Sequence, residues 1–327
     1  MSDRTGELSR REILSGLLGG SALAVLGGKA TAAGQARSRV VRVQSGAVWA
    51  GDRRDPKVVA AMIDAGVKAF LGAATAEAAW KQVFSPGMRV GLKINLLGRP
   101  HIYTAREVTE AVAAAAIAVG VKPGDVLVWD RYQDHFPPTA YALGPGTHGE
   151  QIVAGGAYDR VRGARTSGGM CGIDTIATER TDVTINLPVL KDHGGSGVTL
   201  ALKNIAFGAY QHHRAAHEDN CDPYIAEACA HFWKSVKVPL IVLDATRGCF
   251  DGGPRPASRS SLWDENAVYV ATDPVALDVT CRKVVMEQRA TRGLRDRSRD
   301  CTHIETAARQ GLGVGDPERI DLVNVRV

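Results

Sequence analysis

Val183-Thr184-Ile185-Asn186-Leu187-Pro188-Val189-Leu190-Lys191-Asp192-His193-Gly194-Gly195-Ser196-Gly197-Val198 is the stretch whose reading decides the fold. Val183 to Leu187 is a short apolar run with a β-branched start, which reads as a buried strand. Lys191, Asp192 and His193 then lead into a glycine-rich turn, and Val198 to Phe207 has the pattern of a helix. Strand, short turn and helix in that order are half of a strand–helix–strand unit.

The same alternation extends in both directions. Upstream, Val40 to Val43 reads as a strand, and Asp55-Pro56 opens a helix carrying Val58, Val59, Met62 and Val67. Met88 to Asn95 is a second strand. Thr104 is placed to cap a helix from Ala105 to Val119, with Glu107 at the third helical position. Val126 to Trp129 is a strand that ends in Asp130. Downstream, Pro223 to Val236 reads as a helix, Leu240 to Leu243 and Ala267 to Ala271 as strands, Pro274 to Met286 as a helix and Ile320 to Val325 as a closing strand. The spacing predicts an α/β fold with a mixed or largely parallel sheet and helices on both faces. It forms one domain over residues 33–327, with an irregular glycine-rich insertion at about 133–180.

Ionisable residues recur at the ends of these strands: Lys93 and Asn95, Asp130, then Lys191 with His193, Asp244 and Asp273. In open α/β sheets ligands bind in the crevice beyond the carboxyl ends of the strands. Gly194 and Gly195 precede a helix, where backbone amides can meet an anion. Lys203 and Asn204 lie inside an apolar helix, and a charge there needs a partner or a ligand. The reading makes Lys191, His193, Asp130, Asp244 and Asp273 the catalytic candidates. Lys93, Asn95, Gly194, Gly195, Lys203 and Asn204 are the substrate-binding candidates. His213 and His217, four residues apart, would share a helix face and could hold a metal ion. A phosphate loop, a dinucleotide fingerprint and a serine-hydrolase elbow are all missing.

The 327 residues are 45% hydrophobic and 23% charged, which excludes a disordered or fibrous chain. A net charge of +5 without a polybasic block, with 6% aromatic residues, argues against nucleic acid as a partner and leaves a small-molecule ligand. Cys171, Cys221, Cys229, Cys249, Cys281 and Cys301 contain no Cys-x-x-Cys, so their spacing does not support an iron–sulfur cluster.

Ser9-Arg10-Arg11-Glu12-Ile13-Leu14 begins a separate pattern. Paired arginines precede the apolar stretch Ile13 to Gly27, and Ala30-Thr31-Ala32 offers small residues for cleavage. This resembles a twin-arginine signal over residues 1–32. It implies the translocon as an export partner, a periplasmic or otherwise exported product, and a mature chain without a transmembrane segment.

Leu92-Lys93-Ile94-Asn95 with Thr104 and Glu107, Leu187 to His193 through Lys203-Asn204, Asp244, Gly253-Pro254 and Thr272-Asp273-Pro274-Val275-Ala276-Leu277-Asp278 stand in a characteristic order. In this order they resemble the bacterial and archaeal family labelled domain of unknown function 362. Many relatives carry a ferredoxin-like module, so the resemblance implies a redox setting; this chain lacks the clustered cysteines. The expectation is an exported enzyme that acts on a small anionic or carbonyl-bearing substrate by Lys, His and Asp acid–base chemistry. Its preferred class is oxidoreductase, with a metal ion left open as cofactor. The alternatives are a non-catalytic binding protein for a small anion or metal, and a maturation factor for another exported enzyme.

Overall fold

The structure is a computed structural model that describes residues 37–212 and 214–327; the expected signal segment and His213 lie outside the described residues. The chain begins with β1 (Ser38–Gln44), followed by α1 (Pro56–Leu71), α2 (Ala76–Val83), β2 (Val90–Lys93), α3 (Arg106–Ala118), β3 (Val126–Asp130) and β4 (Gln151–Ala154). A second run comprises β5 (Val183–Asn186), β6 (Val189–His193), α4 (Leu200–Gly208), α5 (Tyr224–Ser235) and β7 (Leu240–Cys249). The chain closes with β8 (Ala267–Ala271), α6 (Pro274–Ala290), α7 (Thr302–Arg309) and β9 (Ile320–Arg326). The expected helix start at Asp55-Pro56 is real: the Asp55 carboxylate accepts the Lys57 and Val58 amides, and Pro56 sits where a helix lacks partners for its N–H groups.

The sheet runs β9-β1-β8-β7-β5-β2-β3-β4. Neighbours from β7 through β5, β2 and β3 to β4 are parallel, whereas β8 is antiparallel to both β7 and β1. Side chains alternate between two apolar layers. Val126 and Val128 join the layer of α1, α2 and α3, and Leu127 and Trp129 join the layer of α4 to α7. Burial of each such Val or Leu contributes about 1.5–3 kcal/mol. The α/β fold with helices on both faces of a mixed, mostly parallel sheet is therefore the one the alternation predicts.

The topology also fixes a crevice. From β2 the chain leaves through α3 to β3 on one side, and from β5 it leaves through α4 and α5 to β7 on the other. Strands β2 and β5 lie side by side, with Asn186 opposite Lys93. This reversal is a topological switch point, which opens a cleft between the connections on opposite faces.

Three local expectations change. Val189 to His193 is a strand and not a connection, pairing along the far half of β7 with Val189 opposite Asp244 and Lys191 opposite Cys249. Thr104 is not a helix cap: its hydroxyl accepts the Asn95 amide and donates to the Leu187 carbonyl, while Asp244 accepts the Ala105 amide at the start of α3. Because β8 is antiparallel to β7, Asp273 lies at the opposite sheet edge from Asp244. The span 133–180 contains the edge strand β4 and a hairpin of Tyr158–Thr166 with Gly169–Asp174.

Candidate active site

A cavity of about 320 Å³ opens at this switch point, lined from six parts of the chain. Lys93 and Asn95 come from the end of β2, Asp130 and Arg131 from the end of β3, His193 from the end of β6, and Thr199, Lys203, Asn204 and Phe207 from the start and body of α4. Tyr132, His135, His212, His217, Pro254 and Arg255 surround them.

Lys93 Nζ stands 2.8 Å from Asp130 Oδ1, and both side chains are buried. The other carboxylate oxygen accepts the Leu96 amide at 2.7 Å, and Oδ1 also accepts the Arg131 amide at 2.8 Å. Burial by itself would raise the Asp130 carboxyl, but the Lys93 ammonium and these hydrogen bonds outweigh it and hold it below the usual range. Asp130 is thus a fixed anion. Gly208 permits this arrangement, since a Cβ there would stand 2.6 Å from Lys93 Nζ.

Behind the cavity runs a chain of amides. Lys191 Nζ donates to Asn95 Oδ1 at 2.7 Å, Asn95 Nδ2 to Asn204 Oδ1 at 2.9 Å, and Asn204 Nδ2 to Asn186 Oδ1 at 2.8 Å. Lys191 is fully buried and has a neutral partner, so burial pushes its ammonium down to about 8. It is not part of the cavity wall; it holds Asn95, which is.

His193 Nδ1 accepts the amides of Gly195 at 3.0 Å and Ser196 at 3.1 Å. Two donors on Nδ1 leave the ring proton on Nε2. Burial, with Lys203 and Lys191 close by, lowers this imidazole to about 2. His193 is therefore a neutral N–H donor toward the cavity. The Gly194 amide is taken by the Gly253 carbonyl, and the first amides of α4, Ala201 and Leu202, are taken by Asp278 at 2.8 and 3.0 Å. The glycine turn and helix start thus build the site's frame, and Gly194 and Gly195 do not line it.

Lys203 is 4% exposed, with its Nζ 3.7 Å above the Phe207 ring and 3.0 Å from Cys221 Sγ. Among the described residues no carboxylate pairs with it. Burial lowers its ammonium, and Cys221 partly offsets this. On the wall of the same cavity, the Thr199 hydroxyl is buried without a hydrogen-bond partner. Four cations, Lys93, Arg131, Lys203 and Arg255, thus line the cavity against the one carboxylate of Asp130.

The structure does not bring the remaining carboxylate candidates here. Asp244 is held by the Ala105 amide and by Thr246, and Asp273 by the amides of Val275, Ala276 and Val314. His217 stands on the rim in the short helix Arg214–His217, with its ring 5.2 Å from that of His212. Among the described residues no group of three or more His, Cys, Asp or Glu is arranged to hold a metal ion. Sequence reasoning missed Arg131 and Asn186, and it named Asp278 only within the run that carries the family resemblance. Arg131 donates to the Tyr158 hydroxyl at 2.8 Å and to the Phe207 carbonyl at 3.2 Å. Asn186 carried a signal, a lone amide in an apolar strand, which needs a partner when buried.

No curated protein matches the chain. The family described as Domain of unknown function (DUF362) matches residues 90–283, a span that includes every residue lining the cavity. With more than half its length covered and the whole cavity inside that span, the chain belongs to the DUF362 family.

Proposed function

We propose that this cavity is the active site of an enzyme that moves a proton on a small anionic, carbonyl-bearing substrate. The observation that carries the reading is the excess of buried positive charge in a cavity with an unpartnered hydroxyl: Lys203 without a carboxylate, and Thr199 on the same wall. An anion supplies what both groups lack. The His193 Nε2–H is suited to polarise a carbonyl oxygen, because a neutral imidazole donates without contributing a charge of its own. Lys203, whose ammonium is lowered by burial, is the group suited to take or return a proton. Asp130 keeps Lys93 in place as a fixed positive charge.

The test is deuterium exchange. Pyruvate and phenylpyruvate are incubated with the protein in D2O, and exchange next to the carbonyl is followed by proton NMR. Catalysed exchange is expected, lost at least tenfold in Lys203→Met and reduced in His193→Gln. Binding without exchange would replace the reading by that of a non-catalytic anion-binding protein. Neither binding nor exchange would sink both.

We also propose export of the folded chain through the twin-arginine route, supported by Ser9-Arg10-Arg11 before an apolar stretch. The six cysteines support it as well, since all are buried free thiols, which suits a fold completed before export. Replacing both arginines by lysine is expected to retain the protein in the cytoplasm, as read by cell fractionation.

A further inference from the structure

One thiol differs from its neighbours. Cys171, Cys229, Cys249 and Cys301 each point at an oxygen acceptor, whereas Cys221 Sγ stands 3.0 Å from the Lys203 ammonium. Burial pushes the Cys229, Cys249 and Cys301 thiols up, so these stay protonated and inert. Of these five thiols, Cys221 is the one whose sulfur faces a nitrogen cation and not an oxygen. Cys221 is 1% exposed and directly follows two exposed residues, Asp219 and Asn220. Those two residues and Cys221 itself have left-handed backbone, with φ of 46°, 57° and 66°. A run of three such non-glycine residues is costly, and here it turns the thiol inward against Lys203.

We propose that Lys203 and Cys221 are the two ends of an oxidative cross-link that shuts the cavity in the presence of hydrogen peroxide. The Cys221 thiolate attacks one peroxide oxygen and the O–O bond breaks, giving a sulfenic acid and hydroxide. The hydroxide takes a proton from Lys203 and leaves as water. The neutral Lys203 amine then attacks the Cys221 sulfur, the S–O bond breaks, and a second water leaves with the proton released by nitrogen. Sulfur is oxidised by two electrons and peroxide is reduced by the same two; the product is an S–N bond. Two equivalents of a thiol return the amine and the thiol and leave as a disulfide. The closing effect on ligand binding rests on the active-site reading above, and the cross-link itself does not.

The experiment treats the full-length purified protein with hydrogen peroxide, followed by digestion and mass spectrometry. A linked pair of peptides carrying Lys203 and Cys221 is expected, lighter by two hydrogens than the sum of the two, and lost on treatment with dithiothreitol. Cys221→Ala and Lys203→Gln should both lack it, with Lys203→Gln stopping at an oxidised Cys221. Phenylpyruvate affinity of the wild type should fall at least tenfold with peroxide and recover with dithiothreitol, whereas Cys221→Ala should keep its affinity throughout. Oxidation of Cys221 without a linked peptide, or a link that retains oxygen, overturns the proposed chemistry. A linked peptide with unchanged affinity leaves the cross-link standing and overturns its closing of the cavity.

Discussion

His303 illustrates how a single buried group governs the response to pH. It is fully buried, neither ring nitrogen has a partner, and burial together with Lys203 lowers it to about 3. Below its ordinary 6.5 the unfolded chain binds a proton that the folded chain does not, so stability falls as the pH drops from about 6.5 toward 3, by about 1.4 kcal/mol for each pH unit well inside that window. His193 adds to the same acid sensitivity. His303→Phe keeps the volume and removes the titration; in urea denaturation it should gain on the wild type as the pH goes from 7 to about 5. A constant difference would refute this. Lys191 acts at the other end of the scale. Its folded value of about 8 lies below the ordinary 10.5, so the unfolded chain is the one that holds the extra proton between them, and stability rises with pH across that window. The wild type should therefore gain on Lys191→Met between those two values, again by urea midpoints.

At the scale of elements, the site depends on carboxylates that cap helices they do not belong to. Asp278, in α6, accepts the first amides of α4, and Asp244, in β7, accepts the Ala105 amide at the start of α3. Burial raises the Asp278 carboxyl to about 8, against the pull of those two amides, so near neutral pH it exists partly protonated and still has an acceptor oxygen. Helix α4 begins at Leu200, whose φ of 41° is left-handed, so its entry is held from outside. Asp278→Ala should cost about 1–3 kcal/mol and loosen Lys203 and Asn204 together, weakening ligand binding as well as stability. Asp278→Asn, which keeps an acceptor, should be milder on both counts. Equal losses in the two variants would show that the cap is not what positions α4. Only the Asp273 half of the Asp-Pro-Val-Ala-x-Asp run could be read as a cap from sequence, because it caps its own helix. The Asp278 half reaches across the fold.

For the whole molecule, the closing strand is the point of exposure. β9 pairs in parallel with β1 along its whole length, from Ser38 opposite Ile320 to Gln44 opposite Arg326. Deleting residues 320–327 would turn β1, with its buried Val40, Val41 and Val43, into a bare edge. Thermal unfolding is expected to move to lower temperature, with concentration-dependent association visible by light scattering. A monomeric deletion variant with unchanged unfolding would show that β9 is dispensable.

Periodicity alone determined the α/β class and most of its elements, because whether a residue faces the core repeats along each strand and helix and is written in the local pattern. It also placed Lys93, Asn95, Asp130, His193, Lys203 and Asn204 at strand ends or on the following helix, and all six line one cavity. What it could not hold was direction and partnership. The antiparallel course of β8 sends Asp273 to the far edge, the second strand after Pro188 places Lys191 behind Asn95, and the glycine turn spends its amides on His193 and Gly253. Each of these depends on hydrogen bonds between residues far apart in the chain. Such pairings are chosen by the packing of the whole sheet, and no local stretch of sequence contains them.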